Sequence, residues 1–214
     1  MPLKKRLTAR LKRIGFKPRI GKVIGLRTPR GLVSYLMDFG LKEQELIGKT
    51  VLDVGAGHGE FVKEAREIGA KVTALEPRAE KTENAIKKRV QEINSSEKFD
   101  FVFANFSVSI YLNDAFNVRL SMYKMLRALK PNGRLMICPI YRRLAIKPGQ
   151  KPVYHFSTTV GLGILPINSL LEKIKQSGFI VPEPVITPNN YFRMEIQRTP
   201  QSDINKLKEL LSLE

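Results

Sequence analysis

Tryptophan is absent from this chain, cysteine occurs once and histidine only twice in 214 residues. A single thiol cannot close an internal disulfide, so the fold must stand on its packed core, and a reducing, cytoplasmic setting is expected. Cys138, His58 and His155 are too few and too scattered to make a metal-ligand cluster, so no metal site is expected. No apolar run approaches the ~18 residues that a membrane span needs. The N-terminus is basic but lacks the apolar stretch of a secretion signal. Acids are scarce as well: 20 Asp and Glu face 37 Lys and Arg, a formal charge of +17. No internal repeat is visible. What remains fits one soluble domain, large enough to bury about 70% of its unfolded surface.

The most informative stretch is VLDVGAGHGEF, residues 51–61. A β-branched and apolar run leads through Asp53 into Gly55, Ala56, Gly57, His58 and Gly59, and the pattern FVKEAREIG that follows is helical. This is a strand entering a helix through a glycine-rich turn. Glycine suits a tight turn that a ligand must approach without a Cβ in the way. At the carboxyl end of a parallel strand, such a turn is where nucleotide-like ligands bind.

Spacing separates the possible ligands. A dinucleotide fingerprint needs G-x-G-x-x-G, and Glu60 stands where its third glycine belongs. No Gly-Lys-Ser/Thr follows the turn, so this is not a P-loop. Glu60 at the helix start would also repel a pyrophosphate. A ligand without phosphates fits better. The next strand, KVTALEP, ends at Glu76 and Pro77, and Glu76 comes 17 residues after Gly59. A carboxylate there can accept hydrogen bonds from both hydroxyls of a ribose.

Together these residues resemble the S-adenosylmethionine-dependent methyltransferases of the class I, Rossmann-like family. The resemblance implies that the turn from Asp53 to Gly59 holds the amino-acid part of S-adenosylmethionine and that Glu76 holds its ribose. It extends over residues 32–198. KFDFVFANF resembles the family's fourth strand, with Asp100 at its start and Asn105 and Phe106 at its cofactor end. MLRALKPNGRLMICPI resembles the next helix, a Pro-Asn-Gly turn and the fifth strand, which would bury Cys138. LLEKIKQSGFIV and VITPNNYFRMEI resemble the last helix and the closing strands. The implied fold is a seven-stranded, mostly parallel α/β sheet with an antiparallel last strand and helices on both faces. Only 22 residues separate Glu76 from Phe99. AEKTENAIKKR suits a helix, which leaves VQEINSS for a short or rudimentary third strand. Glu92 and Asn94 are then the nearest candidates for an adenine contact.

The chain divides into a basic helical arm over 1–40, the methyltransferase-like domain over 41–200 and a C-terminal helix over 201–214. The arm holds eleven Lys and Arg against one acid, Asp38, whereas the remainder has 26 basic and 19 acidic side chains. Leu3, Leu7, Leu11 and Ile14 fall on one helical stripe, with Lys and Arg on the other faces. Three fates stay open for it: packing on its own domain, tracking RNA or DNA phosphates, or lying on an anionic surface. Residues 1–30 are the expected contact with such a partner. Arg27 and Arg30 near the end of that stretch, and Tyr35 after it, could reach the cofactor site or make surface contacts. At the other end, Ser202 or Asp203 caps a helix with Ile204, Leu207, Leu210 and Leu211 on one face.

Methyl transfer from a sulfonium needs few catalytic groups, because holding donor and nucleophile together supplies about 7–11 kcal/mol. A base is needed only when the acceptor must lose a proton. His155, in the region between the fifth strand and the last helix where the resembled family commonly builds its acceptor wall, and Tyr111, after the fourth strand, are the candidates. Phe61, Phe106 and Tyr111 could line the sulfonium, where an aromatic face adds about 0.5–2 kcal/mol; core packing is the competing reading of Phe61. His58 reads as a cofactor contact. The motif of exocyclic amino-group methylation is absent after the fourth strand, and no Cys stands where a pyrimidine nucleophile would. Two other functions stay open. One is a nucleic-acid-binding protein that keeps the fold without turnover. The other is an aminopropyl transferase, disfavoured because no acid-rich polyamine site is visible.

Overall fold

A computed structural model of the chain describes residues 31–78, 82, 84–107, 114–143, 153–157, 164–188 and 192–213. The basic segment 1–30, with Arg27 and Arg30, and Tyr111 lie outside the described residues. Strands β1 (Thr50–Val54), β2 (Lys71–Leu75), β3 (Phe99–Asn105) and β4 (Leu129–Arg143) lie parallel in the order β2-β1-β3-β4. Two further strands, β5 (Val153–Ser157) and β6 (Ile164–Pro166), form an antiparallel pair on the far end of β4. The sheet closes with β7 (Val185–Ile186) and β8 (Phe192–Gln197), β8 running antiparallel to both β4 and β7.

The parallel centre and the antiparallel return match the expectation, but the count of seven does not. Among the described residues, six strands form the doubly wound part. The sheet reaches eight because β4 continues past its parallel neighbour to Arg143 and picks up β5 and β6. The Pro-Asn-Gly turn lies within β4 as an irregularity: Phe99 faces Leu129, yet Phe101 faces Arg134. Asn132 there takes φ 66° and donates its N–H to the Arg198 carbonyl at 2.8 Å.

The third strand of the family order is reduced to one bridge, and its position corrects the expectation. Ile86 pairs with Leu75, donating to the Ala74 carbonyl at 2.9 Å and accepting from the Glu76 N–H at 3.1 Å. It falls inside the stretch read as a helix. Asn84 has φ 58° and residues 85–89 are not helical. VQEINSS forms no strand; Val90–Glu92 make one 3₁₀ turn. The open edge of β2 offers backbone donors and acceptors, and a polar segment with little apolar face gains more by meeting them than by coiling.

Among the described residues, five helices cover the sheet: α1 (Leu32–Phe39), α2 (Glu60–Glu67), α3 (Ala115–Ala128), α4 (Asn168–Gln176) and α5 (Ile204–Leu210). Asp203 caps α5 by accepting from the N–H groups of Asn205 and Lys206, both at 2.9 Å, and Leu207 and Leu211 are buried. Side chains alternate across a strand with period two, and the alternation sorts the core into two clusters. Val51, Phe101, Phe103, Met136 and Cys138 face α1 and α2. Leu52, Val54, Val102, Ala104, Leu135 and Ile137 face α3, α4 and α5. Among the described residues no helix is long and apolar enough to cross a membrane.

Candidate cofactor-binding site

The carboxyl ends of β1, β2 and β3 lie side by side, the place where a doubly wound sheet forms its ligand crevice. There the period-two alternation of β1 carries from Val51 to Asp53, and that of β3 from Phe101 and Phe103 to Asn105. Both polar side chains therefore enter the face that α1 and α2 cover, and both are fully buried. On α1, Leu32, Tyr35, Asp38 and Phe39 form the buried stripe. Tyr35 donates its hydroxyl to Asp53 Oδ1 at 2.9 Å, and Asn105 Nδ2 donates to Asp38 Oδ2 at 3.3 Å. Burying a carboxylate is tolerated only when it is hydrogen-bonded, and here each has a partner across the helix–sheet interface. Glu64 of α2 accepts the Leu32 N–H and so ties α1 to α2 at the helix start. Tyr35 is thus an interior residue, and the surface-contact reading of it fails.

The turn itself is shaped by its glycines. Gly55 has φ 78°, and a Cβ on it would lie 2.3 Å from the Ser107 Cβ. Gly57 has φ 60°, and a Cβ there would meet nothing within 4 Å. The first glycine lets two chain segments close up, and the second stands at open space. Gly55 and Ala56 donate their N–H groups to the Leu75 carbonyl at 2.7 and 3.2 Å, which binds the turn to the end of β2. Just beyond, Glu76 accepts the Gly57 N–H on Oε2 at 3.1 Å and the Arg78 N–H on Oε1 at 3.0 Å. Thr82 donates its hydroxyl to the Gly57 carbonyl.

The crevice thus gathers Asp53, Gly55, Ala56, Gly57, His58, Gly59, Glu76, Pro77, Asn105 and Phe106 at three adjacent strand ends. His58 and Pro77 are exposed. Phe106 is half-buried with φ 51°, a left-handed backbone uncommon for a bulky residue. Other expected residues are placed elsewhere. Phe61 is 1% exposed and stacks on Tyr35 with ring centroids 3.9 Å apart, as a core residue does. Asn94 accepts from Lys124 of α3 at 3.1 Å. His155 is placed by its backbone, on β5 opposite Tyr141 of β4. Three residues were missed by sequence reasoning. Asp38 read only as the lone acid of a basic segment, though its i, i+3 spacing from Tyr35 on an apolar helix face is a signal. Thr82 had none. Ser107 closes on Gly55, and its Oγ is buried with no hydrogen-bond partner among the described residues.

A family model described as a methyltransferase domain matches residues 5–160. The chain belongs to that family. Among solved structures, this methyltransferase domain is similar to the 1,6-didemethyltoxoflavin-N1-methyltransferase of Burkholderia thailandensis, determined with 1,6-didemethyltoxoflavin and S-adenosylhomocysteine. The two are 20% identical over 73% of this chain and 76% of that one, with a TM-score of 0.50. DesVI of Streptomyces venezuelae is 13% identical over 78% of this chain and 95% of its own, also with a TM-score of 0.50. At these identities the likeness is one of fold. No curated protein matches the chain.

Proposed function

We propose that the crevice binds S-adenosylmethionine and that the protein transfers its methyl group to an oxygen, nitrogen or carbon acceptor. One observation carries the reading: a carboxylate, Glu76, stands at the end of β2 beside the open side of Gly57, in a turn that departs from phosphate-binding patterns. Each Glu76 oxygen has taken one backbone N–H. A carboxylate oxygen has two lone pairs, so both retain capacity for ribose hydroxyls while the turn stays fixed. The orphaned Ser107 hydroxyl and the unfilled space at Gly57 also fit a polar ligand in the crevice.

When bound, the cofactor supplies a methyl group already activated on a sulfonium. The protein's work is then to bind, align and exclude water. Tyr35, Asp38, Asp53 and Asn105 fix the strand ends on which the turn is hung, and rigid support of this kind is what positioning requires. His155 on β5 is the proposed proton acceptor for acceptors that must lose one, with Tyr111 as the second candidate. The excess charge of residues 1–30 favours an anionic acceptor or carrier for that segment. RNA binding would show as a retarded band whose affinity falls with salt and is lost on truncation of those residues.

The direct test is to incubate the protein with S-adenosylmethionine labelled in its methyl group and fractionated cell extract. Protein-dependent label transfer with formation of S-adenosylhomocysteine is expected, and Glu76→Ala should suppress it. Absence of both products across all fractions, together with no binding of S-adenosylhomocysteine, would contradict the assignment.

A further inference from the structure

A cavity lies between α3, α4 and α5, on the face of the sheet opposite α1 and α2. Its volume is about 120 Å³, several times the ~30 Å³ share of one water molecule. Val118, Leu170 and Leu211, all buried, give it an apolar floor, and its polar lining is Arg119, Lys173 and Ser169. Among the described residues no carboxylate lines it. Arg119 Nε is buried with no hydrogen-bond partner among the described residues, and neither Arg119 nor Lys173 makes an ion pair among them. The neighbouring acids are engaged elsewhere. Asp114 feels the Arg119 charge, but its oxygens accept from the Asn117 N–H at 2.8 Å and from Asn117 Nδ2 at 2.6 Å. Glu172 pairs with Lys175 at 3.3 Å.

A buried guanidinium nitrogen without an acceptor is costly unless something else supplies one. Arg119, Lys173 and Ser169 together line a space with an apolar floor and, among the described residues, no acid. We propose that this cavity is a phosphate site, taking the phosphate group of a small phosphomonoester whose apolar part rests on Val118, Leu170 and Leu211. A dianion matches the two positive charges; a carboxylate would leave one of them uncompensated. Arg119 offers the directional donors, Lys173 the point charge and Ser169 a hydroxyl donor. The site is separate from the glycine turn and does not rest on the methyl-transfer reading.

The test is calorimetric titration of the full chain with inorganic phosphate and with phenyl phosphate, at constant ionic strength. Both should bind, phenyl phosphate more tightly because of the apolar floor. Arg119→Gln and Lys173→Gln should each weaken binding by about tenfold or more, the loss of one charge-assisted contact. Arg119→Lys should restore part of the loss, which a merely misfolded variant would not show. Lys71→Gln, an exposed lysine on β2, should leave binding unchanged, and all four variants should bind S-adenosylhomocysteine like the parent. No phosphate binding at millimolar concentration, binding indifferent to Arg119 and Lys173, or equal loss in Lys71→Gln would overturn the site. Binding of inorganic phosphate with equal or greater affinity than phenyl phosphate would overturn the phosphomonoester assignment.

Discussion

The two faces of the sheet are packed by different means. Against α3, α4 and α5 the core is mainly aliphatic, built from Leu, Ile, Val and Met with Phe99, Tyr123 and Phe179 among them. Against α1 and α2 it is aromatic, with Tyr35, Phe39, Phe61, Phe101 and Phe103 in mutual stacked and edge contacts. Only this second face encloses the Tyr35–Asp53 and Asp38–Asn105 pairs, and it borders the crevice. A buried carboxylate needs a hydrogen-bond donor, and on this face the Tyr35 hydroxyl and the Asn105 amide supply one each. One face is thus packed mainly by apolar contacts, while the other also encloses two buried polar pairs at the strand ends.

The comparison can be broken at four points. The largest effect is expected on the aliphatic face: Leu126→Ala empties a fully buried position of α3 and should cost about 2–5 kcal/mol in denaturant unfolding. The affinity of the remaining folded protein for S-adenosylhomocysteine should not change. On the aromatic face, Tyr35→Phe keeps the stacked ring but removes the hydroxyl from Asp53, and about 1–3 kcal/mol of stability should go with it. Here cofactor affinity should fall too; a stability loss alone would place the Tyr35–Asp53 pair with ordinary packing. Glu76→Ala should act in the opposite sense, with little change in melting temperature and at least about a tenfold loss of affinity measured by calorimetry.

The smallest effect lies at the foot of the sheet, away from both the crevice and the cavity. Burial alone would raise the Asp100 pKa, but hydrogen bonds from the Thr50 hydroxyl and N–H and from Lys130, at 3.0 Å, outweigh it and lower the value from 3.8 to about 2. A depressed carboxyl stabilises the fold above its unfolded pKa, and that contribution is lost as pH falls through the folded one. Asp100→Asn should therefore cost about 1 kcal/mol near neutral pH, after allowance for solvent screening. The difference from the parent should close between about pH 4 and about pH 2 in an acid titration.

Much of this fold was legible because its signals are local. Val-Leu-Asp-Val followed by alternating glycines reads as strand and turn, and β3, α4 and α5 each carry an unbroken period. The failures occurred where backbone pairing overrode local preference. Residues 79–89 are rich in helix formers, yet Ile86 pairs with the edge of β2. The strand pair β5 and β6 exists because β4 overshoots its neighbours, and nothing local announces that. The site shows the same division. Glu76 and the glycines could be found from strand-end logic. Asp38 could not be matched to Asn105, 67 positions away, because that contact depends on which face of β3 meets α1.

The most direct measurement of the central claim is calorimetric titration of the full chain with S-adenosylhomocysteine and, separately, with NAD. A crevice fixed from the aromatic face, with Glu76 rather than a phosphate cradle at its mouth, should bind S-adenosylhomocysteine at micromolar or lower concentration and give no heat with NAD. Binding of NAD, or silence with S-adenosylhomocysteine, would contradict it.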